Sequence, residues 1–238
     1  MAGAAQKTGP AFAGLRFLGI AAALAPLPAN AGAWIAPEGG QKIWTSFAGE
    51  SEGFTFVELS GYVEAPAARD TSVVVSTWMQ RNADPAEVWR GEATLAAKHV
   101  VYRSGRGAIV ALQAGALWNS RPQEGCSEGG AEVRALLGRG IGRTGFVNVE
   151  AATRALEGGC ESERLDLTVG YRPGENWLAM GQLLLEAPRE GDEILRAQVT
   201  LVNFRPSGRG IQVGLRTRVD GGAQETALVV GLWGRPGG

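Results

Sequence analysis

Arg164-Leu165-Asp166-Leu167-Thr168-Val169-Gly170-Tyr171-Arg172 alternates. Leu165, Leu167, Val169 and Tyr171 fall on one side, and Arg164, Asp166, Thr168 and Arg172 on the other. A period of two is the signature of a strand with one apolar and one polar face. The same pattern recurs on both sides of this stretch. Val57 and Leu59 alternate with Glu58, Ser60, Tyr62 and Glu64; Ala93, Leu95 and Ala97 alternate with Glu92, Thr94 and Lys98. Val133 and Ala135 interleave with Glu132 and Arg134, and Val147, Val149 and Ala155 with Asn148, Glu150 and Arg154. Towards the end of the chain, Leu195, Ala197 and Val199 bracket Arg196 and Gln198, and Ile211, Val213 and Leu215 are followed by Arg216 and Arg218. Weaker strands at 41–48, 71–80, 108–118, 176–186 and 226–233 bring the total to about twelve, near the length at which a tilted strand crosses a bilayer.

Glycine and proline punctuate these runs, as in Arg103-Ser104-Gly105-Arg106, Arg172-Pro173-Gly174-Glu175 and Arg205-Pro206-Ser207-Gly208. Turns this short join antiparallel neighbours. The expected fold is therefore all-β: an up-and-down antiparallel barrel formed by residues 41–238, with no second domain. Gly138-x-Gly140-x-Gly142 closes a strand and opens no helix, so it is not a nucleotide loop.

The start of the chain reads as an address. Lys7 and Arg16 precede an apolar run over 17–27, and Ala29-Asn30-Ala31 supplies an A-x-A site. Residues 1–31 are expected to be a Sec-type secretory signal peptide cut between Ala31 and Gly32. Residues 32–40 are then a periplasmic N-terminal segment ahead of the barrel. After Gly32 no run of about 18 apolar residues offers a membrane helix.

Composition narrows the function. The 238 residues carry a net charge of −1 and are 45% hydrophobic, so bulk electrostatics give no reason to expect nucleic-acid binding. With one histidine, His99, and two cysteines, a His- or Cys-rich metal site is not expected, nor is any cofactor. His99 falls on an apolar side near a strand end, without a serine and carboxylate arranged for nucleophilic catalysis, so no enzyme activity is expected. Cys126 and Cys160 fall in adjacent connections on one rim and are candidates for a disulfide of an exported protein.

Alternation alone does not say which face is wet. A soluble periplasmic or secreted barrel would turn the apolar face inward around an apolar ligand; an outer-membrane barrel turns it to lipid. Three features favour lipid. Trp44, Trp78, Trp89, Trp118, Trp177 and Trp233 lie near strand ends, as in aromatic girdles. The charged strand positions Glu92, Glu132, Arg134, Glu150, Arg154, Arg164, Asp166, Arg196, Arg216 and Arg218 are arginine-rich, and arginine's planar fork suits a partly desolvated lumen. They read as a structural ion-pair network ahead of a selectivity filter. The connections also segregate by sign. Those at 49–53, 81–87, 119–130, 157–163, 186–193 and 220–225 hold fifteen acidic residues and three arginines, whereas the shorter ones at 65–70, 103–106, 139–143, 172–175 and 205–209 hold eight arginines and two acids. A meander places the first set at one end and the second at the other, with long loops outside and short turns in the periplasm.

Gly32-Ala33-Trp34-x-x-Pro37-x-Gly39-Gly40-Gln41, Gly145-Phe146-Val147-Asn148-Val149-Glu150 and Arg164 to Pro173 together resemble outer-membrane barrel proteins of the XagA type. The resemblance implies a β-barrel in a Gram-negative outer membrane associated with surface polysaccharide and biofilm, and implies no catalytic residues. The expected function is thus a porin-like passive channel, or an accessory for export of exopolysaccharide, in a monomeric barrel surrounded by outer-membrane lipid. An outer-membrane acyl-transfer enzyme is the remaining alternative.

Overall fold

The computed structural model describes residues 32–51, 53–82, 89–120, 127–156, 160–189, 191–222 and 224–235. The segment 1–31 and Cys126 lie outside the described residues, as does the side chain of Cys160, so the signal peptide and the disulfide are not addressed by it.

Twelve strands follow one another: β1 Gln41–Ser51, β2 Phe54–Ala68, β3 Thr71–Asn82, β4 Arg90–Arg103, β5 Ala108–Asn119, β6 Gly129–Ile141, β7 Gly145–Leu156, β8 Cys160–Gly174, β9 Trp177–Pro188, β10 Ile194–Phe204, β11 Gly210–Arg218 and β12 Glu225–Gly234. Each pairs antiparallel with its sequence neighbours, and β1 pairs with β12 from Lys42↔Gly234 to Ser51↔Glu225 to close the barrel. Closure leaves no strand edge unpaired, which satisfies the backbone wherever water is absent. Each alternating run marked a real strand.

The strands turn their apolar side outward. Among the described residues, thirty large apolar ones are more than a third exposed, including Leu95, Val133, Val199, Leu215 and Leu228. Their neighbours along the chain, including Glu58, Glu64, Lys98, Glu132, Arg154 and Arg216, are buried. An apolar exterior this continuous marks a surface that contacts a membrane or another protein. The soluble barrel with an inward apolar face is therefore not the fold adopted.

Two assignments change. Trp78 and Trp233 do not belong to an outer girdle. Trp233 shares its row with the buried Ala227 and Val229, and its indole N–H donates to Gln212 Oε1 at 2.7 Å. Trp78 shares its row with the buried Ser72 and Val74 and carries the Arg90 guanidinium 5.7 Å from its ring centre. In both cases strand parity overrides position along the strand. Trp44 and Trp177 remain outward at the short-turn end and Trp89 and Trp118 at the long-loop end, joined at the turn end by Tyr102 and Tyr171.

The segment before β1 enters the barrel. Residues 38 and 39 are exposed, but Gly32, Ala33 and Ala36 are buried inside the turn end of the barrel. From Gly32 the described chain runs from within the cylinder out to its rim and turns back into β1.

Candidate functional site

The interior has two storeys. The lower, at the turn end, is built around residues 32–36. Trp34 meets Phe146 edge-on with ring centres 6.0 Å apart, and joins Leu178, Met180, Val202 and Trp233 in one apolar cluster. On the opposite side Ala33, Trp34 and Ile35 pack against Val100, Ile109, Ala111 and Leu136. A Cβ at Gly138 would lie 2.7 Å from the Trp34 ring, so only glycine at that inward position of β6 admits the indole.

A buried ion pair anchors this hook. Lys98 of β4 is fully buried, and its three N–H donors go to Glu64 Oε2 at 2.7 Å, the Trp34 carbonyl at 2.7 Å and the Gly32 carbonyl at 3.0 Å. Glu64 of β2 is equally buried and accepts from four donors. Oε1 takes the Ser72 hydroxyl at 2.6 Å and the Ala36 amide at 3.0 Å, while Oε2 takes Lys98 and the Tyr62 hydroxyl at 2.6 Å. A buried pair is tolerable only when its remaining donors and lone pairs are satisfied, and here they are. A compact ammonium directs three donors at three separate oxygens; a planar guanidinium would not. This explains a lysine in a chain that has only three. Asn148 of β7 adds a second anchor, its Oδ1 accepting from the Ala33 amide at 3.1 Å.

The upper storey is a ladder of charge. Glu150, Arg134, Glu132, Arg154, Glu92, Arg164, Glu186, Arg196, Glu225, Arg216 and Glu58 form one chain of ion pairs spanning β7 to β2 around the inner wall. Its contacts are 2.6 to 3.1 Å except at Arg164–Glu92 and Arg196–Glu186, both 3.9 Å. Arg154 reaches across β6 and β5 to Glu92, and Arg216 across β12 and β1 to Glu58, where its guanidinium also lies 4.1 Å from the Phe47 ring centre. The ladder is not evenly buried. Arg216 and Glu132 are closed off, whereas Arg164, Glu186 and Arg196 on β8 to β10 are a quarter to a third exposed. Below them on the same wall lies a lane of neutral polar groups. Gln198 donates to Gln182 at 2.8 Å, and Gln182 to Thr168 at 3.3 Å. Thr200 completes the lane above the apolar floor of Leu178 and Val202.

All ten sequence-predicted charges, Glu92, Glu132, Arg134, Glu150, Arg154, Arg164, Asp166, Arg196, Arg216 and Arg218, fall on inward rows. Eight of them are ladder members. Asp166 stands opposite Glu150 in register, and Arg218 is bonded to Asp220 at the long-loop rim. The sequence reading missed Glu58, Glu186 and Glu225 as ladder members and the Glu64–Lys98 clamp altogether. Glu58, Glu64 and Lys98 were visible on polar strand faces; Glu186 and Glu225 read as loop because the strands run further than their apolar alternation. His99 is outward, with Nδ1 2.9 Å from the Thr71 hydroxyl, separated by the wall from the inward charges. Among the described residues no cluster of potential ligands could hold a metal ion.

No family model and no curated protein matches the chain. Solved structures do. The COG4313 outer membrane channel from Pseudomonas putida F1 is similar at a TM-score of 0.63 and 11% identity, over 87% of this chain and 98% of that one. The NanC porin gives 0.60 and 9%, over 79% and 98%. The KdgM porin in complex with disordered oligogalacturonate gives 0.58 and 9%, over 80% and 97%. At these identities the likeness is one of fold: the chain has the architecture of outer-membrane β-barrel porins.

Proposed function

We propose that this protein is a passive conduit in a Gram-negative outer membrane for polyhydroxylated, carbohydrate-type material, closed in the conformation described above. The observation that carries this reading is the inverted barrel: a lipid-compatible exterior around a charged interior whose exposed part lies on one wall, β8 to β10. Hydroxyl-rich cargo suits that wall. The amides of Gln182 and Gln198 and the Thr168 hydroxyl offer both donors and acceptors. The XagA-type resemblance points to the same cargo class, surface polysaccharide. The lower storey stops the path, because residues 32–36 and the Phe146–Leu178–Val202 cluster fill the turn end. Passage therefore requires the hook to withdraw, and the reaction involves no covalent chemistry.

Single-channel recording in planar bilayers tests this. The native protein should stay closed for long periods, and Trp34→Ala combined with Ile35→Ala should open readily, with conductance reduced by added oligosaccharide. A double variant that folds and inserts but remains as silent as the native protein would overturn the conduit.

A further inference from the structure

The outer wall of the barrel is not uniformly covered. Between Leu183 and Trp177 the outward row of β9 carries only Gly181 and Ala179. Register sets Gly181 between Val169 and Val199, and Ala179 between Tyr171 and Leu201. A Cβ at Gly181 would meet nothing within 4 Å. Small residues flanked by bulky ones leave an apolar trough of about 630 Å³ on this face. Beneath it, towards the short turns, the chemistry changes in order. The outward row of β10 reads Leu201, Asn203, Arg205, each step about 7 Å long. Asn203 pairs with Trp177 on one side and Ile211 on the other. Arg205 and Arg209 close the rows of β10 and β11 opposite each other, the Arg205 amide donating to the Arg209 carbonyl at 2.8 Å. Both side chains are exposed and neither is in an ion pair among the described residues, although Glu175 stands in the next turn. Like charges set opposite each other repel, and an anion held between them relieves the repulsion.

We propose that this face is a binding site for one anionic phospholipid of the leaflet at the turn end. An acyl chain lies along β9 over Gly181 and Ala179, the ester groups reach the Asn203 amide and the Trp177 indole N–H, and the phosphate is shared by Arg205 and Arg209. The ligand is amphipathic in the same order as the row it covers: hydrocarbon, neutral polar, charged. Hydrocarbon alone would fill the trough from any lipid; the arginine pair beneath it selects a headgroup with net negative charge. A second copy of the chain fits less well, because a two-fold axis along the membrane normal would set the arginine pair against its own image. The inference rests on the reading of the chain as an outer-membrane barrel with its short turns on the periplasmic side.

The test uses the protein purified from outer membranes in mild detergent, titrated with dioleoyl phosphatidylglycerol or dioleoyl phosphatidylethanolamine, with bound lipid read by native mass spectrometry. One phosphatidylglycerol should remain bound at concentrations where phosphatidylethanolamine is lost. Arg205→Gln combined with Arg209→Gln should weaken its retention at least ~10-fold. Gly181→Leu fills the trough where a side chain has room, and should weaken it about 5-fold. Arg106→Gln combined with Arg143→Gln takes the same charge from two other exposed turn positions and should leave retention unchanged. Equal retention of the two lipids, or equal loss in both double-arginine variants, would overturn the proposal. Displacement of the lipid by inorganic phosphate would reduce the site to a phosphate contact, and a dimer lost in Gly181→Leu would give the trough to a second copy; either result also overturns it. Absence of the protein from the outer membrane would instead defeat the functional reading on which the inference stands.

Discussion

The two storeys of the interior solve one problem in opposite ways. Both must hold charge inside a closed cylinder. The lower concentrates it in a single pair, Glu64 and Lys98, both fully buried, with every donor and acceptor committed and apolar packing all round. The upper spreads it over eleven residues, of which several reach water. An isolated buried pair is all-or-none, because removing either member strands the other in a low-dielectric site. A ladder shares the loss among neighbours, and its wetter members are screened. The first arrangement suits a stopper that is either fully seated or released, and the second a wall that polar material could pass in the proposed conduit.

The largest effect should follow from the concentrated pair. Lys98→Met leaves Glu64 charged and two hook carbonyls unpaired, and should cost about 3–5 kcal/mol in urea unfolding of the reconstituted barrel. Lys98→Arg should fail to restore this, since a planar guanidinium cannot serve three divergent oxygens. Equal stability of Lys98→Met and the native protein would erase the contrast between the storeys. On the ladder, Arg196→Gln removes contacts to Glu225 at 3.1 Å and Glu186 at 3.9 Å from a partly exposed site. Its cost should stay below about 1 kcal/mol and shrink with added salt, measured in the same unfolding assay.

The smallest effect belongs to the rim, where the ladder gives way to Arg218 and Asp220. The Arg218 Nε–H bonds the Asp220 carboxylate at 2.8 Å, and the Leu195 and Gly222 amides also donate to it, holding its carboxyl down to about 2. The folded value is depressed, so the contribution is complete above the ordinary carboxyl value of 3.8 and is lost as pH falls through about 2. Between pH 7 and 4 the Leu195 amide resonance should not move; a shift in that window would show the rim contact to be absent.

Much of the barrel was legible in the alternation, and the reason is physical. One face of the wall is apolar and the other polar, so nearly every strand residue must declare a side. That is why parity put Arg164, Asp166, Arg216 and Arg218 on one face, which the tryptophan positions, arginine usage and loop signs then turned inward. Parity also outweighed the strand-end rule that put Trp233 in a girdle: the residue is one register step from Leu232, which does face out. The hook was not legible. Residues 32–36 show no period, and what seats them is distributed over Glu64, Lys98, Gly138 and Asn148 on four different strands. Only closure of the barrel brings those positions together. The ladder's order was hidden for the same reason, since Arg154–Glu92 and Arg216–Glu58 skip over intervening strands.

Trp34 and Trp44 lie ten residues apart at the same end of the barrel, one within the cylinder and one on its outer wall. Single-tryptophan variants reconstituted in bilayers of brominated lipid compare them directly. The structure predicts strong quenching of Trp44 and little of Trp34. Quenching of Trp34 as strong as that of Trp44 would contradict both the inverted barrel and the plug inside it.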